Sequence, residues 1–244
     1  MSTTSRPHDQ GGPGHTPRSL RASRVVAAVA VLALVGSGCS RDPMGPLDEA
    51  GVRRAILTEQ DFPDKDGWTS TGVSSESANA PGTAAELSSA TGMPAPCRRA
   101  FAAWTDADRQ RMAGVNNNFT KFSAQDLTDA LMVQLAVRSF AQPPTSLPRL
   151  REVVTACRGT FTLTPPGGTA HRITIEDSPA GTSDAAGLRI TMPVDGRATA
   201  LVTLVAQRGN NLVQVVGVGR VEREVSEVAQ RVLDAQVRKL LETG

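Results

Sequence analysis

The chain has 244 residues, of which 39% are apolar, 20% are charged and only 3% are aromatic, with no tyrosine. These values are typical of a globular protein and exclude collagen-like, coiled-coil and fully disordered chains. The scarcity of aromatic side chains argues against the stacking surfaces that bind single-stranded nucleic acids. A net charge of +2 supplies no strongly basic surface, so we expect no nucleic acid partner.

The N-terminal 38 residues have the features of a secretion signal. A polar stretch that carries four arginines and one aspartate precedes an uncharged apolar run over residues 25–35. A helix needs about 20 apolar residues to cross a bilayer, and this run is much shorter. The pattern therefore predicts a cleaved signal peptide over 1–38 and not a stable transmembrane segment.

The apolar run is followed by Gly-Ser-Gly and then by Cys39. Small residues before a cysteine resemble the lipobox of bacterial lipoproteins, although the first glycine stands where that pattern usually has an aliphatic residue. The resemblance implies that Cys39 carries a diacylglycerol, becomes the mature N-terminus and anchors the protein to the cell membrane on its extracytoplasmic face. Each buried methylene group contributes about 0.8 kcal/mol, so two or three acyl chains would anchor the protein effectively permanently.

Cleavage before Cys39 changes the charge of the protein. It removes four arginines and one aspartate, so the net charge falls from +2 to −1. A near-neutral protein has no broad electrostatic attraction to an anionic membrane. The remaining chain divides into a tether over 39–46 and one domain over 47–244, a length that buries roughly 70% of the unfolded surface.

Cys97 and Cys157 are the two cysteines that remain once Cys39 is acylated. In an oxidising compartment this even pair predicts a disulfide, which would stabilise the fold by about 4 kcal/mol. A metal or redox site is disfavoured because the sequence has no C-x-x-C motif and no histidine or cysteine cluster to complete a ligand set. We expect no metal ion and no cofactor.

Apolar residues recur in the domain with two periods, one typical of helices and one typical of strands. Helices are predicted over residues 47–57, 97–111, 146–157 and 222–242. Strands are predicted over residues 68–73, 115–122, 130–140, 161–164, 171–175, 188–192, 198–208 and 212–218.

The connections between these elements are also informative. Gly209-Asn210-Asn211 predicts the tight turn of a β-hairpin. The stretch from Ser74 to Pro96 is rich in Ser, Ala, Gly and Thr, and we expect a mobile surface loop there. Helices combined with consecutive hairpin-linked strands predict an α+β fold. Its sheet would be mostly antiparallel, packed by helices, with one disulfide and a C-terminal amphipathic helix.

Several short motifs follow one another in a definite order: LTEQDFP, DKDGW, MPAPC, TACR and QRGNN. This order resembles the PknH-like extracellular sensor domain, which occurs outside the membrane on some actinobacterial receptor kinases and alone in lipoproteins. The resemblance covers about residues 47–242. It implies an α+β domain with a cleft that binds an envelope ligand, without catalysis. That family often has a second disulfide, for which this chain has no cysteines.

Few residues of the domain could carry other chemistry. His171 is its only histidine, and without a nucleophile motif we interpret it as a surface residue. Asp61, Asp64 and Asp66 suggest a calcium loop, but their spacing does not fit an EF-hand, so we interpret them as a solvated turn. Trp68, which follows this turn, is a weak candidate for contact with a ligand.

These observations predict a lipid-anchored extracytoplasmic domain that binds or senses an envelope-derived small molecule, lipid or peptide and is not an enzyme. Two alternatives stay open. A cell-envelope hydrolase would need two facing carboxylates in a cleft. A structural lipoprotein of a membrane complex would expose an apolar patch without a concave pocket.

Overall fold

The computed structural model describes residues 44–64, 66–76, 90–122, 130–164, 168–194 and 196–244. They belong to one compact unit that spans Arg41–Gly244. Cys39 and the expected signal peptide lie outside the described residues, so signal cleavage and lipidation stay predictions.

The described residues contain four α-helices, as the sequence predicts. They are α1 (Glu49–Ala55), α2 (Ala95–Asp108), α3 (Ser146–Cys157) and α4 (Glu222–Thr243), with a short 3-10 turn at Glu59–Asp61. The side chain of Asp48 caps α1 by accepting a hydrogen bond of 2.7 Å from the Gly51 N–H. No helix in these ranges is long and apolar enough to cross a membrane.

Nine strands in the described residues form one sheet. They are β1 (Trp68–Ser70), β2 (Ser74–Ser75), β3 (Arg111–Phe122), β4 (Ala130–Phe140), β5 (Gly159–Leu163), β6 (His171–Asp177), β7 (Ala185–Val194), β8 (Arg197–Arg208) and β9 (Asn211–Gly219). The order across the sheet is β1-β3-β4-β9-β8-β7-β6-β5, and β2 pairs with β3 beside β1. Every pairing of these strands is antiparallel, which confirms the predicted fold class.

The two faces of the sheet carry separate apolar cores. On one face, α1 and α4 pack over residues such as Val133 and Val215. On the other face, α2 and α3 pack over residues such as Ile175 and Leu188. Side chains alternate along each strand, so neighbouring residues point into opposite cores. Because both cores are apolar, most residues of these strands are apolar.

Some boundaries differ from the sequence-based predictions. The helix expected to reach residue 111 ends at Asp108, because Arg111 already pairs with Phe140 in β3. In the stretch expected to be a loop, Ser74–Ser75 pairs with β3 and Thr91 forms a bridge with Thr164. Residues 77–89 of that stretch lie outside the described residues. These short pairings depend on distant strands, which local composition does not encode.

The disulfide between Cys97 and Cys157 is present, as predicted, with a Cα–Cα distance of 4.7 Å. It joins the first turn of α2 to the last turn of α3. Both cysteines are buried in the core of that face, beside Phe101 and Leu150. The disulfide therefore fixes the two helices to each other on one face of the sheet.

The predicted hairpin turn lies between β8 and β9 at Gly209 and Asn210. Gly209 has a φ of +57°, and a Cβ there would lie 2.0 Å from the Met44 carbonyl oxygen. The conformation and the close approach both require glycine. The hairpin tip is thus a docking point for the start of the described chain.

Candidate functional site: the open face of the sheet

One part of the sheet carries partly exposed side chains on a broad face. We call this part the open face; it consists of the side chains that β3, β4 and β9 present on the side of α2 and α3. The register brings together Asn116, Asn118, Thr120, Met132, Gln134, Ala136, Gln214, Val216 and Val218. Among these residues Ala136 is buried, and the others are partly or largely exposed. The helices α1 and α4 pack on the opposite side of the same strands.

The burial pattern of β3 shows the two-sided character of these strands. Val115 and Phe119 are fully buried under α1 and α4. Asn116 and Asn118, which point the other way, are partly exposed. A sheet with both faces covered would bury both sets, so the pattern marks β3 as open on one side.

Side chains on this face are less exposed on β8 than on its neighbour β9. On β9, Gln214 and Val216 are partly exposed, whereas their neighbours on β8, Val205 and Thr203, are 0% and 5% exposed. Val205 belongs to the core formed with α2 and α3, and α3 packs on β6, β7 and β8. The layer formed by α2 and α3 therefore ends beside β9, and its edge borders the open face.

The centre of the open face is a pair of amides. Asn118 and Gln134 lie directly opposite each other on β3 and β4, and Gln134 is exposed. Neither side chain makes a hydrogen bond with another described residue. An amide has both donor and acceptor groups, so this pair can bind a polar, uncharged group through several hydrogen bonds.

A charged cluster lies at the end of the open face nearest the hairpin tip. Glu76 accepts two hydrogen bonds from Arg138, from Nε at 2.6 Å and from Nη2 at 2.8 Å. Arg111 lies 3.5 Å from the same carboxylate, and the side chains of Glu76 and Arg111 are 9% and 8% exposed. Arg138 also donates a hydrogen bond to Gln214. This bidentate pairing holds Arg138 and Gln214 in fixed positions.

The opposite end of the open face is apolar. Met132 is 46% exposed and lies between Thr120 and Val218 in the register. Phe122, at the end of β3, is 54% exposed. The open face therefore changes along the strands from charged, through amide-bearing, to apolar. A ligand that fits this sequence of groups has a polar part and an apolar part.

Two surface pockets occur in the described residues, one apart from the open face and one at its charged end. One, of about 350 Å³, is lined by α3 and the β6–β7 connection and includes Arg151, Arg158 and Asp177. Arg151 donates to the carbonyl oxygens of Ser183 and Ala185, and Arg158 lies 3.8 Å from Asp177. The other, of about 330 Å³, lies between α1 and the start of β3 and includes Glu76 and Arg111 of the charged cluster. Structural hydrogen bonds and ion pairs use polar groups in both pockets.

The residues singled out from the sequence lie apart from the open face. Trp68 is 5% exposed and packs against Phe62 in the core under α1 and α4, with ring centroids 4.9 Å apart, so we do not include it in the site. His171 lies on β6, where its Nε2 is 3.0 Å from the Thr169 hydroxyl. Asp61 and Asp64 pair with lysines, at 2.5 Å and 3.6 Å.

Sequence reasoning did not identify the amides of the open face. The signal was present as polar residues on alternate positions of otherwise apolar strands, such as Asn116 and Asn118, or Gln134 among Leu and Val. Alternation predicts a half-exposed strand. It does not predict which strands become neighbours, and that is what brings these amides together.

Comparison with solved structures finds the crystal structure of the extracellular domain of PknH from Mycobacterium tuberculosis. It matches with a TM-score of 0.50 and 14% sequence identity, over 79% of this chain and 98% of that chain. No protein-family model and no curated protein matches the chain. At this identity the likeness concerns the fold, and it agrees with the fold that the motif order implies: the chain has a fold similar to that of the PknH extracellular domain.

Proposed function

We propose that this protein is a lipid-anchored extracytoplasmic binding or sensing domain that holds its ligand on the open face and catalyses no reaction. The observation that carries the proposal is the pair Asn118 and Gln134, whose amides are not used by other described residues and lie beside exposed apolar side chains. Support for the compartment comes from the disulfide, the signal-like N-terminus, and a fold similar to the extracellular domain of a protein named PknH.

The ligand that fits is an envelope-derived molecule with a polar and an apolar part. Its polar part would exchange hydrogen bonds with Asn118 and Gln134, and its apolar part would cover Met132 and Val218. Burying the exposed part of these apolar side chains supplies affinity at roughly 25 cal/mol per Å². The amides supply orientation, because leaving them desolvated without partners would be costly.

The anchor is tested by replacing Cys39. Cys39→Ala should release the protein from the membrane fraction, because the sulfur that takes the diacylglycerol is gone. The measurement is fractionation of cell envelopes, with the intact mass of the mature protein as a second readout. A variant that is processed and fractionates like the parent would overturn lipid anchoring.

Ligand binding is tested by native mass spectrometry of residues 40–244 purified from the protein's own envelope, followed by organic extraction. We expect a reproducible adduct of lipid, glycan or peptide mass. Gln134→Ala should reduce the adduct, because it removes one of the two central amides. A consistently unmodified mass for the parent protein would argue against a stably bound ligand.

The chain offers a matched control for this variant. Gln230 is a partly exposed glutamine on α4, on the opposite face of the sheet, where it donates to Asp234 at 3.0 Å. Gln230→Ala should leave the adduct unchanged. Equal loss in both variants would show that the open face is not the binding site, even if a ligand is present.

A further inference from the structure

The first described residues are built into one corner of the domain. Asn210 N–H donates to the Met44 carbonyl at 2.9 Å, and the Asn211 side-chain amide donates to the Gly45 carbonyl at 2.8 Å. Leu47 N–H donates to the Ser139 hydroxyl at 2.7 Å. Residues 44, 45 and 47 are thus held by the β8–β9 turn, by the first residue of β9 and by β4.

The packing at this corner leaves the segment little freedom. Asn211 and Ser139 are both fully buried, and the Gly209 backbone touches the Met44 carbonyl so closely that no side chain would fit between them. The Met44 side chain lies against Gly244, beyond the end of α4. The chain therefore leaves the domain at a fixed position.

The covalent chain limits how far this corner can be from Cys39. Four residues lie between Cys39 and Met44, so the two are five steps apart along the chain. An extended chain spans at most about 3.3–3.6 Å per step, or roughly 18 Å in total. β3 alone has 12 residues and is about 40 Å long at about 3.3 Å per residue. The reach of the tether is less than half the length of the domain along its strands.

We propose that the domain stands on the membrane with the corner formed by Met44, the β8–β9 turn and the end of α4 against the lipid headgroups. This inference rests on the lipid anchoring proposed above. Exposed apolar side chains occur at this end, with Met112 63% and Leu241 39% exposed. The partner of this surface is the bilayer that holds the anchor.

The contact between this corner and the membrane is fixed by the covalent tether and not by electrostatic attraction. Arg208, next to the turn, pairs with Asp184 at 3.3 Å, and Arg109 pairs with Asp106 at 3.4 Å. Paired charges and a mature net charge near zero give little attraction to anionic lipids. The orientation should therefore persist when salt is raised.

In this orientation the two ends of the open face lie at different distances from the membrane. The cluster of Glu76 and Arg138 lies near the membrane, whereas Phe122 and Met132 lie at the far ends of their strands. The exposed apolar residues at that end cannot be inserted into the bilayer that carries the anchor. They are presented to molecules that arrive from the outside.

The test uses the full lipidated protein reconstituted into phosphatidylcholine/phosphatidylglycerol vesicles that contain a rhodamine-labelled lipid. One fluorophore is attached either at M112C, near the turn, or at V221C, at the start of α4, without reductant so that the disulfide stays closed. Energy transfer to the labelled lipid should be at least about threefold higher from position 112 than from position 221, because the tether is short compared with the strands. The difference should be the same at low and high salt.

The control inserts a flexible Gly-Ser linker of 12 residues after Arg41, which should remove the difference between the two positions because the domain can then turn freely. Equal transfer from both positions in the parent protein, or higher transfer from position 221, would overturn the orientation while leaving anchoring intact. Failure of both labelled proteins to float with the vesicles would overturn the anchoring and the orientation together.

Discussion

Buried polar side chains connect the first helix to the last. Gln236, fully buried on α4, donates to the Ala55 carbonyl at 2.6 Å and accepts from the Leu57 N–H at 2.8 Å. Asn117 donates to the Leu57 carbonyl at 3.0 Å. These amides satisfy the backbone groups where the chain leaves α1, in a place that water does not reach. They contrast with Asn118 and Gln134, whose side chains lack such partners among the described residues.

Asp61 should make stability depend on pH. Lys239 donates a hydrogen bond to this carboxylate and lowers its pKa from 3.8 to about 2. A carboxyl group with a lowered pKa stabilises the fold above its unfolded pKa, and this contribution is lost as the pH falls from about 4 towards 2. The side chain of Asp61 is 38% exposed, so solvent screening limits the effect to about 0.5–1 kcal/mol.

Asp61→Asn should therefore lower the free energy of unfolding by about 0.5–1 kcal/mol at pH 7. The difference from the parent should shrink as the pH approaches 2, where the parent also loses the charge. Urea unfolding at several pH values measures both effects. Asp66→Asn, at an exposed position of the same turn, is the control and should change little. A difference that stays constant with pH would contradict the assigned role.

The helices and strands that depend on a local sequence pattern were predicted, whereas those that depend on pairing with distant residues were not. Alternation predicted β4 with its observed bounds, and the helical spacing of residues 146–157 predicted α3. The start of β3, at Arg111 and not at residue 115, and the two residues of β2 were missed because they depend on pairing with distant residues. The same limit applies to the candidate site. Asn118 and Gln134 lie opposite each other because of the β3–β4 pairing register, which periodicity does not determine. The disulfide was predictable because parity and compartment left one pair.

The disulfide should be a major stabilising element for α2 and α3. It closes a sequence separation of 60 residues, which corresponds to about 4 kcal/mol in the chain-entropy account. Changing both Cys97 and Cys157 to Ala should lower the free energy of unfolding by about this amount, measured by denaturant titration of residues 40–244. Reduction of the parent protein should give a similar loss. A loss below about 1 kcal/mol would contradict the entropic argument.

The whole molecule is organised around a sheet whose two faces have different roles. One face is covered by α1 and α4 and buries the polar network of Gln236, while the other is covered only in part by the disulfide-linked helices. Because the cover is partial, the edge of the α2–α3 layer lies beside β9. The chain enters and ends at one corner, where Met44 meets Gly244, so the open face runs lengthwise away from the predicted anchor.

The entry corner should matter for stability as well as orientation. A protein that begins at Leu47 loses the hydrogen bonds to the Met44 and Gly45 carbonyls and exposes the side of Gly209, and it should be less stable by about 1–3 kcal/mol. Proteins that begin at Ser40 and at Met44 should be equally stable, because the contacts described here start at Met44. Denaturant titration of all three compares them directly. Equal midpoints for all three would mean that the segment is not held by the turn, and the tether would then leave the domain free to rotate on the membrane.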